Sequence, residues 1–438
     1  MPQIGASVRR LEDARFLTGH GRFVEDIDIP GQARAHVVRS PHAHARILGV
    51  DAAAARAMPG VLAVYLHADI ADLGHLPCAT KVATEGPMLV PPRPALADGR
   101  VRHVGDPVAF VVAETASQAR DAAEAVVVEY DILPAVVDGP AALAPGAPLL
   151  WNDVPSNRSY RFRKGDPAAV EAAFAAAAHT VEIELVNNRL VIAPTETRAA
   201  IASWADGAFE LLVTAAGVHA LRDQLADAVF RVPRERVRVV APDVGGGFGI
   251  KNALYPEWVL LLHAARDLGR PVKYVADRAE DFVSTAQGRD NFSRGRLALD
   301  ADGRFLALDA RTVANLGAYM SGGGPGSSTN APAAAMGGGY VIPAIAMDVE
   351  GVFTNTVPID AYRGAGKPEA NYLIERLIDL AASRSGFDAT ELRRRNAIAA
   401  FPYAKALGTT VDCGRFAANI DDALRLADEV LAAHGRVD

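Results

Sequence analysis

Two short stretches of the chain combine glycines, one large side chain and the opening of a helical pattern. Residues 243–252 read DVGGGFGIKN and residues 361–370 read AYRGAGKPEA. In the first, Gly245, Gly246, Gly247 and Gly249 surround Phe248 between a Val-rich strand pattern and a helix opening near Pro256. Such a layout lets backbone N–H groups and a helix N-terminus face a phosphate or an oxo group. Neither common nucleotide fingerprint is present: a dinucleotide loop needs glycine at 250 and a P-loop needs glycine directly before Lys251, and Ile250 holds that place. Taken alone, the glycines fit a tight turn with positive φ equally well. The second stretch centres on Arg363, followed by Gly364, so that a guanidinium and exposed amides can converge on one charged, oxygen-rich ligand. Taken alone, Arg363 also fits a surface ion pair. Two loops of this design point to a large polar cofactor.

Other reactive residue types carry less. His42 and His44 in SPHAHARI alternate as on a strand, and without a third ligand at metal spacing they read as structural. Asp206 and Glu210 read as a solvated turn. Cys78 and Cys413 are the only cysteines, too few to hold an iron–sulfur cluster or a zinc site within this chain. Half of the 438 residues are apolar, 22% are charged and the net charge is −7, without a basic run, which argues against a nucleic-acid partner. The N-terminal residues lack the apolar core of a signal peptide, and no apolar run reaches the ~18 residues of a membrane span. The expected compartment is the reducing cytoplasm.

The elements that must position the two loops follow from periodicity. The length exceeds the roughly 250–300 residues of one ordinary core, so two or three domains are expected. Strand-like runs AHVVRS, VLAVYL, DPVAFVVAE and AVVVEYDI precede residue 137, with a helix after Thr115, whose spacing to Gln118 is that of a capping box. A Pro- and Ala-rich passage over 141–155 reads as a linker. Beyond it HTVEIELV, AAIASW, FELLVTAAG and ERVRVVAPDV read as strands. YPEWVLLLHAARDLG and KPEANYLIERLIDLAASRSG read as helices, with Pro in the first turn and Gly past the end. FAANIDDALRLADEVLAAHG reads as an amphipathic helix. The low-complexity residues 320–340 read as a long loop within a domain, of the kind that is usually functional or mobile.

The segments IGASVRRLEDARFLTGHGRFVEDI, SPHAHARI, VGDPVAFVVAET, PDVGGGFGIK, RPVKYVADRAEDFVSTAQGRD, ANLGAY and AYRGAGKPEANYLIERLIDLAA, in this order, resemble the molybdenum-cofactor subunit of the xanthine dehydrogenase and aldehyde oxidase family. The resemblance covers nearly the whole chain. It implies an α+β fold, with an α/β hammerhead domain over 1–140 and the first half of the molybdopterin-binding region over 156–438. It implies molybdopterin, in the cytosine dinucleotide form, with molybdenum. By motif, Gly246, Gly247, Phe248 and Gly249 pass their backbone beside the metal. Arg363, with Gly364, offers a backbone amide near the metal's ligands. Gln287 and Gly288 match a segment that helps build the cofactor domain. The implied activity hydroxylates a carbon adjacent to nitrogen or oxygen, with oxygen from water. Electrons would leave through 2Fe–2S clusters and FAD on partner subunits.

Departures from the family pattern sharpen these expectations. Ala216, in VTAAGVHALRDQ, stands where the family commonly has a glutamine bonded to the metal's apical oxygen. Asn252 stands where purine-oxidising members have a substrate-binding glutamate, which argues against a purine. Glu196, in APTETRAA, stands where members often read Pro-Met-Glu-Pro and is expected to be structural or substrate-lining. The family's catalytic base, a glutamate in a Gly-Glu-Leu-Gly motif of the second cofactor-binding half, has no counterpart in this sequence. The preferred expectation is a split enzyme of the bacterial nicotinate dehydrogenase type, whose other half and base lie on a second chain. An inert scaffold relative that has lost its metal and a full-length enzyme cut short are the alternatives. The substrate would be a small N-heterocycle or an aldehyde, the heterocycle being favoured.

Overall fold

The computed structural model describes residues 5–434. Apolar runs broken by Gly, Pro and Asp build two main sheets. The larger has seven strands in the order Val237–Val240, Ala208–Val213, Ala199–Ala205, Val272–Val275, Ala33–Arg39, Pro107–Ala113 and Val61–Tyr65. Every residue of Pro107–Ala113 is buried, as its unbroken apolar run requires of a strand covered on both faces. Ala33–Arg39 pairs in parallel with Val272–Val275, so residues from both sides of the Pro/Ala-rich passage share one sheet. The helix Pro256–Leu268 lies on this sheet, buried from Pro256 through Ala265. Proline opens it and Gly269, at φ +63°, ends it.

The second sheet has five strands in the order Arg158–Gly165, Ala344–Phe353, Phe305–Gly317, Asn291–Leu299 and His179–Asn187. The helix Lys367–Ser385 covers one face through Leu373, Ile374, Leu377 and Ile378. A smaller sheet joins Arg100–Val101, Ala45–Asp51 and Val127–Ile132. The Thr115 hydroxyl caps the helix Ala116–Glu124, and Gln118 completes the capping box.

Several segments differ from expectation. Arg158–Gly165, with four basic residues in RSYRFRKG, is a strand that composition conceals: Tyr160 and Phe162 enter the core while Arg161 and Arg163 pair with Asp348 on the outer face. Within 141–155, Leu150, Trp151 and Val154 are core residues, and the Trp151 indole donates to the Ala318 carbonyl at 3.0 Å. Residues 320–340 are not an open loop. They form the helices Gly324–Ser328 and Asn330–Ala335, with Thr329 and Ala333 buried, because small side chains let this backbone pack closely.

His42 and His44 precede the strand Ala45–Asp51 rather than alternating on it; His44 Nδ1 lies 2.7 Å from the Pro134 carbonyl, and His42 sits edge-on to Tyr130. Asp206 is in a turn, whereas Glu210 is in the next strand, paired with Arg238 at 2.8 Å. Among the described residues no group of three or more metal-binding side chains comes together, and no helix is long and apolar enough to cross a membrane.

Candidate functional site

The glycine loop leaves the strand Val237–Val240 and is pinned at both ends. Before it, the Asp243 carboxylate accepts from Arg15, with Nη2 at 2.8 Å, and from the Arg22 amide at 2.6 Å. Beneath it, Glu196 Oε2 accepts from the Gly245 amide at 2.7 Å and from Lys251 Nζ at 2.8 Å, so one carboxylate ties the start of the loop to its end. Lys251 is fully buried and also donates to the Glu196 carbonyl at 3.0 Å. Burial pulls its ammonium below the ordinary lysine range while Glu196 opposes that shift. Of the two roles expected of Glu196, structural or substrate-lining, its contacts here are those of the structural one. Its side chain is only 10% exposed, and it positions the loop.

Behind Glu196 lies a denser ionic cluster. Arg198 is fully buried and donates through Nε to Asp281 at 3.0 Å and to Thr285 at 2.7 Å, while Nη1 lies 3.0 Å from Glu257. Arg39 bridges Glu257 at 2.7 Å and Glu280 at 2.9 Å. Burial opposes the charge of Glu257, but Arg198 and Arg39 prevail and hold its carboxyl down at about 2. Sequence reading misses this cluster because its members are far apart in the chain.

The loop itself is shaped for close approach of backbone. Phe248 has φ +50°, which a bulky residue adopts only where its surroundings impose it, and the residue is 45% exposed. Gly249 has φ +113°, and a Cβ there would lie 2.1 Å from the Ala361 carbonyl oxygen. The second loop thus packs directly on the first. They are stitched by the Arg363 amide, which donates to the Phe248 carbonyl at 2.9 Å. A peptide unit is planar and trans, so its carbonyl and amide point opposite ways. Tying the Phe248 carbonyl to the second loop turns the Gly249 amide away from that loop.

The amides of Gly246, Gly247, Phe248 and Gly249 have no hydrogen-bond acceptor among the described residues, and neither has that of Gly364. The resemblance assigns an amide near the metal's ligands to Arg363. Here that amide is occupied by Phe248, and Gly364 carries the free one. Ala216 is exposed and joins the same face through its amide, which donates to the Lys251 carbonyl at 3.0 Å. Asn252 is exposed beside it, within reach of Gly217. Arg363 and Lys367 are exposed and make no ion pair among the described residues. Contacts therefore link Phe248 and Gly249 to the second loop at Ala361 and Arg363, and Ala216 to the end of the first loop at Lys251.

The Asp243 carboxyl is held down at about 2, from 3.8, chiefly by the hydrogen bond from Arg15 and then by the Arg22 amide. Depressed carboxyl values stabilise the fold above the ordinary carboxylate range and lose that contribution as pH falls through the folded value. Urea midpoints are therefore expected to hold between pH 6 and about 4 as far as Asp243 and Glu257 are concerned, then fall steeply toward pH 2. Asp243→Asn should flatten part of that fall, and an unchanged profile would contradict the assignment.

A row of free amides with two unpaired cations is a wall for a large anionic, oxygen-rich group. This donor set fits a phosphate-bearing pterin and the oxo ligands of its metal. The class so defined is that of cofactor-binding subunits, and the comparisons agree. Residues 150–397 match the molybdopterin cofactor-binding domain, and residues 18–134 match the aldehyde oxidase and xanthine dehydrogenase a/b hammerhead domain. The chain belongs to the xanthine dehydrogenase and aldehyde oxidase family, among its molybdopterin-binding subunits.

It is 37% identical over 426 residues to the carbon monoxide dehydrogenase large chain of Hydrogenophaga pseudoflava, covering 92% of this chain and 52% of that one. The nicotinate dehydrogenase large molybdopterin subunit of Eubacterium barkeri is 28% identical over 397 residues, covering 90% of this chain and 89% of that one. Quinoline 2-oxidoreductase from Pseudomonas putida 86 superposes with a TM-score of 0.89 at 36% identity, over 98% of this chain and 56% of that one. The chain spans about half the length of most of the relatives it matches.

Proposed function

We propose that this chain is one wall of the molybdenum–pterin site of a multi-subunit hydroxylase that oxidises a small N-heterocycle. The observation that carries the reading is the run of free amides at Gly246, Gly247, Phe248 and Gly249, set against the free Gly364 amide and the unpaired Arg363. When bound, the cofactor supplies two-electron oxidation and oxygen transfer with water as the oxygen source. The chain's own residues hold and orient it. Backbone donors meet its oxygens, Arg363 and Lys367 balance its negative charge, and the Glu196–Lys251 pair keeps the donors in place. Asn252 lies on the face open to a substrate, and its lack of charge argues against a purine.

The face needs a second half to close it and to bring the base. The match along 89% of the Eubacterium barkeri subunit favours a completing half on a separate chain. Iron–sulfur and FAD subunits, the cytosine dinucleotide form of the pterin and a cytoplasmic setting belong to the same proposal. The test is co-expression with the adjacent reading frame, followed by molybdenum analysis and assay on N-heterocycles and aldehydes in heavy-oxygen water. Molybdenum in the purified complex and label in a hydroxylated heterocycle are expected. A complex without molybdenum would make the chain an inert relative, and aldehyde turnover alone would overturn the substrate class.

Ala216 gives a second check on the same reading. It is exposed beside the loop, so a longer side chain has room. Ala216→Gln restores the carboxamide that the family commonly carries there. One added hydrogen bond corresponds to roughly a five- to tenfold rise in kcat/KM of the loaded complex. No change would remove Ala216 from the metal's surroundings.

A further inference from the structure

Arg289 lies outside both loops, in the segment that precedes the strand Asn291–Leu299, yet it touches the second loop at three points. Its Nη1 donates to the two carboxylate oxygens of Glu369 at 3.0 and 3.1 Å, its Nη2 donates to the Arg363 carbonyl at 2.9 Å, and its guanidinium carbon stands 4.8 Å from the centre of the Tyr362 ring. Both partners of the ion pair are about nine-tenths buried. Arg289 and Asp290 take φ of +67° and +66°, a conformation that non-glycine residues hold only when their surroundings impose it.

The surroundings do impose it. The Asp290 carboxylate is gripped by Arg189 at 2.7 Å and Asn315 at 2.9 Å. The Gln287 amide donates to the Pro358 carbonyl at 3.0 Å, and the Asp360 amide donates to the Gln287 carbonyl at 2.9 Å, so residues 287–290 are clamped to the run that leads into the loop. Gly288 lets the Tyr362 ring close over them, since a Cβ there would lie 2.5 Å from that of Tyr362.

The Arg363 carbonyl and the Gly364 amide are the two ends of one planar trans peptide. Whatever anchors the carbonyl also fixes the direction of the amide, which points the opposite way. We propose that Arg289 is the positioning residue of the 361–366 segment, aiming the Gly364 amide at the group the face receives. The inference rests on the proposed cofactor wall for what the amide meets, but not for how it is aimed. Arg289 supplies two donor branches in a fixed fork. Lysine supplies a point charge and can keep Glu369 paired while releasing Arg363.

The test is hydrogen exchange on the full chain, with and without its completing half, in Arg289→Lys. Exchange over 361–366 should quicken about tenfold, the loss of one hydrogen bond, while exchange over 373–382 stays as in the parent. Molybdenum per chain in the complex should fall at least severalfold. A second variant, Arg289→Met with Glu369→Leu, removes the buried pair whole and should loosen 361–366 alike. Parental protection over 361–366 in a folded variant, or failure of both variants to fold, makes Arg289 merely structural and overturns the proposal. A parent complex without molybdenum refutes the cofactor reading instead, and leaves the exchange result to decide the positioning.

Discussion

Arg198→Met is expected to destabilise the chain by about 3–5 kcal/mol, the usual consequence of stripping one partner from a buried ionic cluster. Arg198 is the hub: it meets Asp281 and Glu257, each about 1% exposed, donates to Ser284 at 2.6 Å, and lies over the Tyr255 ring at 4.2 Å. With methionine there, the one cation left to Glu257 among the described residues is Arg39, and the one left to Asp281 is Arg278, whose nearest approach is 3.6 Å, beside the Thr285 hydroxyl that still donates to it. Two carboxylates would sit in a dry interior with half their counter-charge. The Glu257 carboxyl should rise from about 2, and the variant should be most impaired at pH values where Glu257 is ionised. Urea unfolding at neutral pH measures the loss, with Arg238→Met as the comparison. Arg238 is paired with Glu210 but exposed, and its loss should stay within about 0.5 kcal/mol. Equal midpoints for the two variants would contradict the cluster's role.

Gly249→Ala should separate the two loops and abolish molybdenum retention while leaving the sheets intact. A Cβ 2.1 Å from the Ala361 oxygen and 2.8 Å from its carbon meets backbone rather than a side chain that can swing away. The φ of +113° adds roughly 1–3 kcal/mol of strain for any residue but glycine. Relief requires the 361–366 segment to withdraw, which breaks the bond from Arg363 to the Phe248 carbonyl and frees both peptides to rotate. Gly269→Ala is the control. It also has positive φ, but nothing lies within 4 Å of the added carbon, so it should lower stability by about 1 kcal/mol without loss of metal. Molybdenum retained by Gly249→Ala at the parental level would show that the junction of the loops is not needed.

Local chemistry made much of this architecture legible in the sequence. Pro256 and Gly269 bracket one helix, Thr115 and Gln118 cap another, and Val-rich runs mark most of the strands. The glycine loops were legible as backbone donors because their missing side chains are themselves the signal. What pairs across long distances was not. Glu196 holds Gly245 and Lys251, some fifty residues away, and nothing local distinguishes that carboxylate from a pocket-lining one. The strand Arg158–Gly165 hid behind arginines whose partners, Asp348 and Glu350, belong to another strand. Residues 141–155 and 320–340 had the composition of linkers, but Ala, Gly and Ser also allow tight packing, and only the surrounding core decides between the two. The Arg363 amide bonds the Phe248 carbonyl while the Gly364 amide has no acceptor among the described residues, a distinction between atoms that a motif, which names residues, does not draw.

In the proposed complex, Gly246, Gly247, Phe248, Gly249 and Gly364 receive the metal's oxygen-rich surroundings through backbone donors. Anomalous X-ray scattering from molybdenum in crystals of this chain with its completing half tests it most directly. A single strong peak is expected over that face, beside the Phe248 ring and the Gly364 amide. A peak elsewhere on the chain, or none in a crystal of the intact complex, would contradict it.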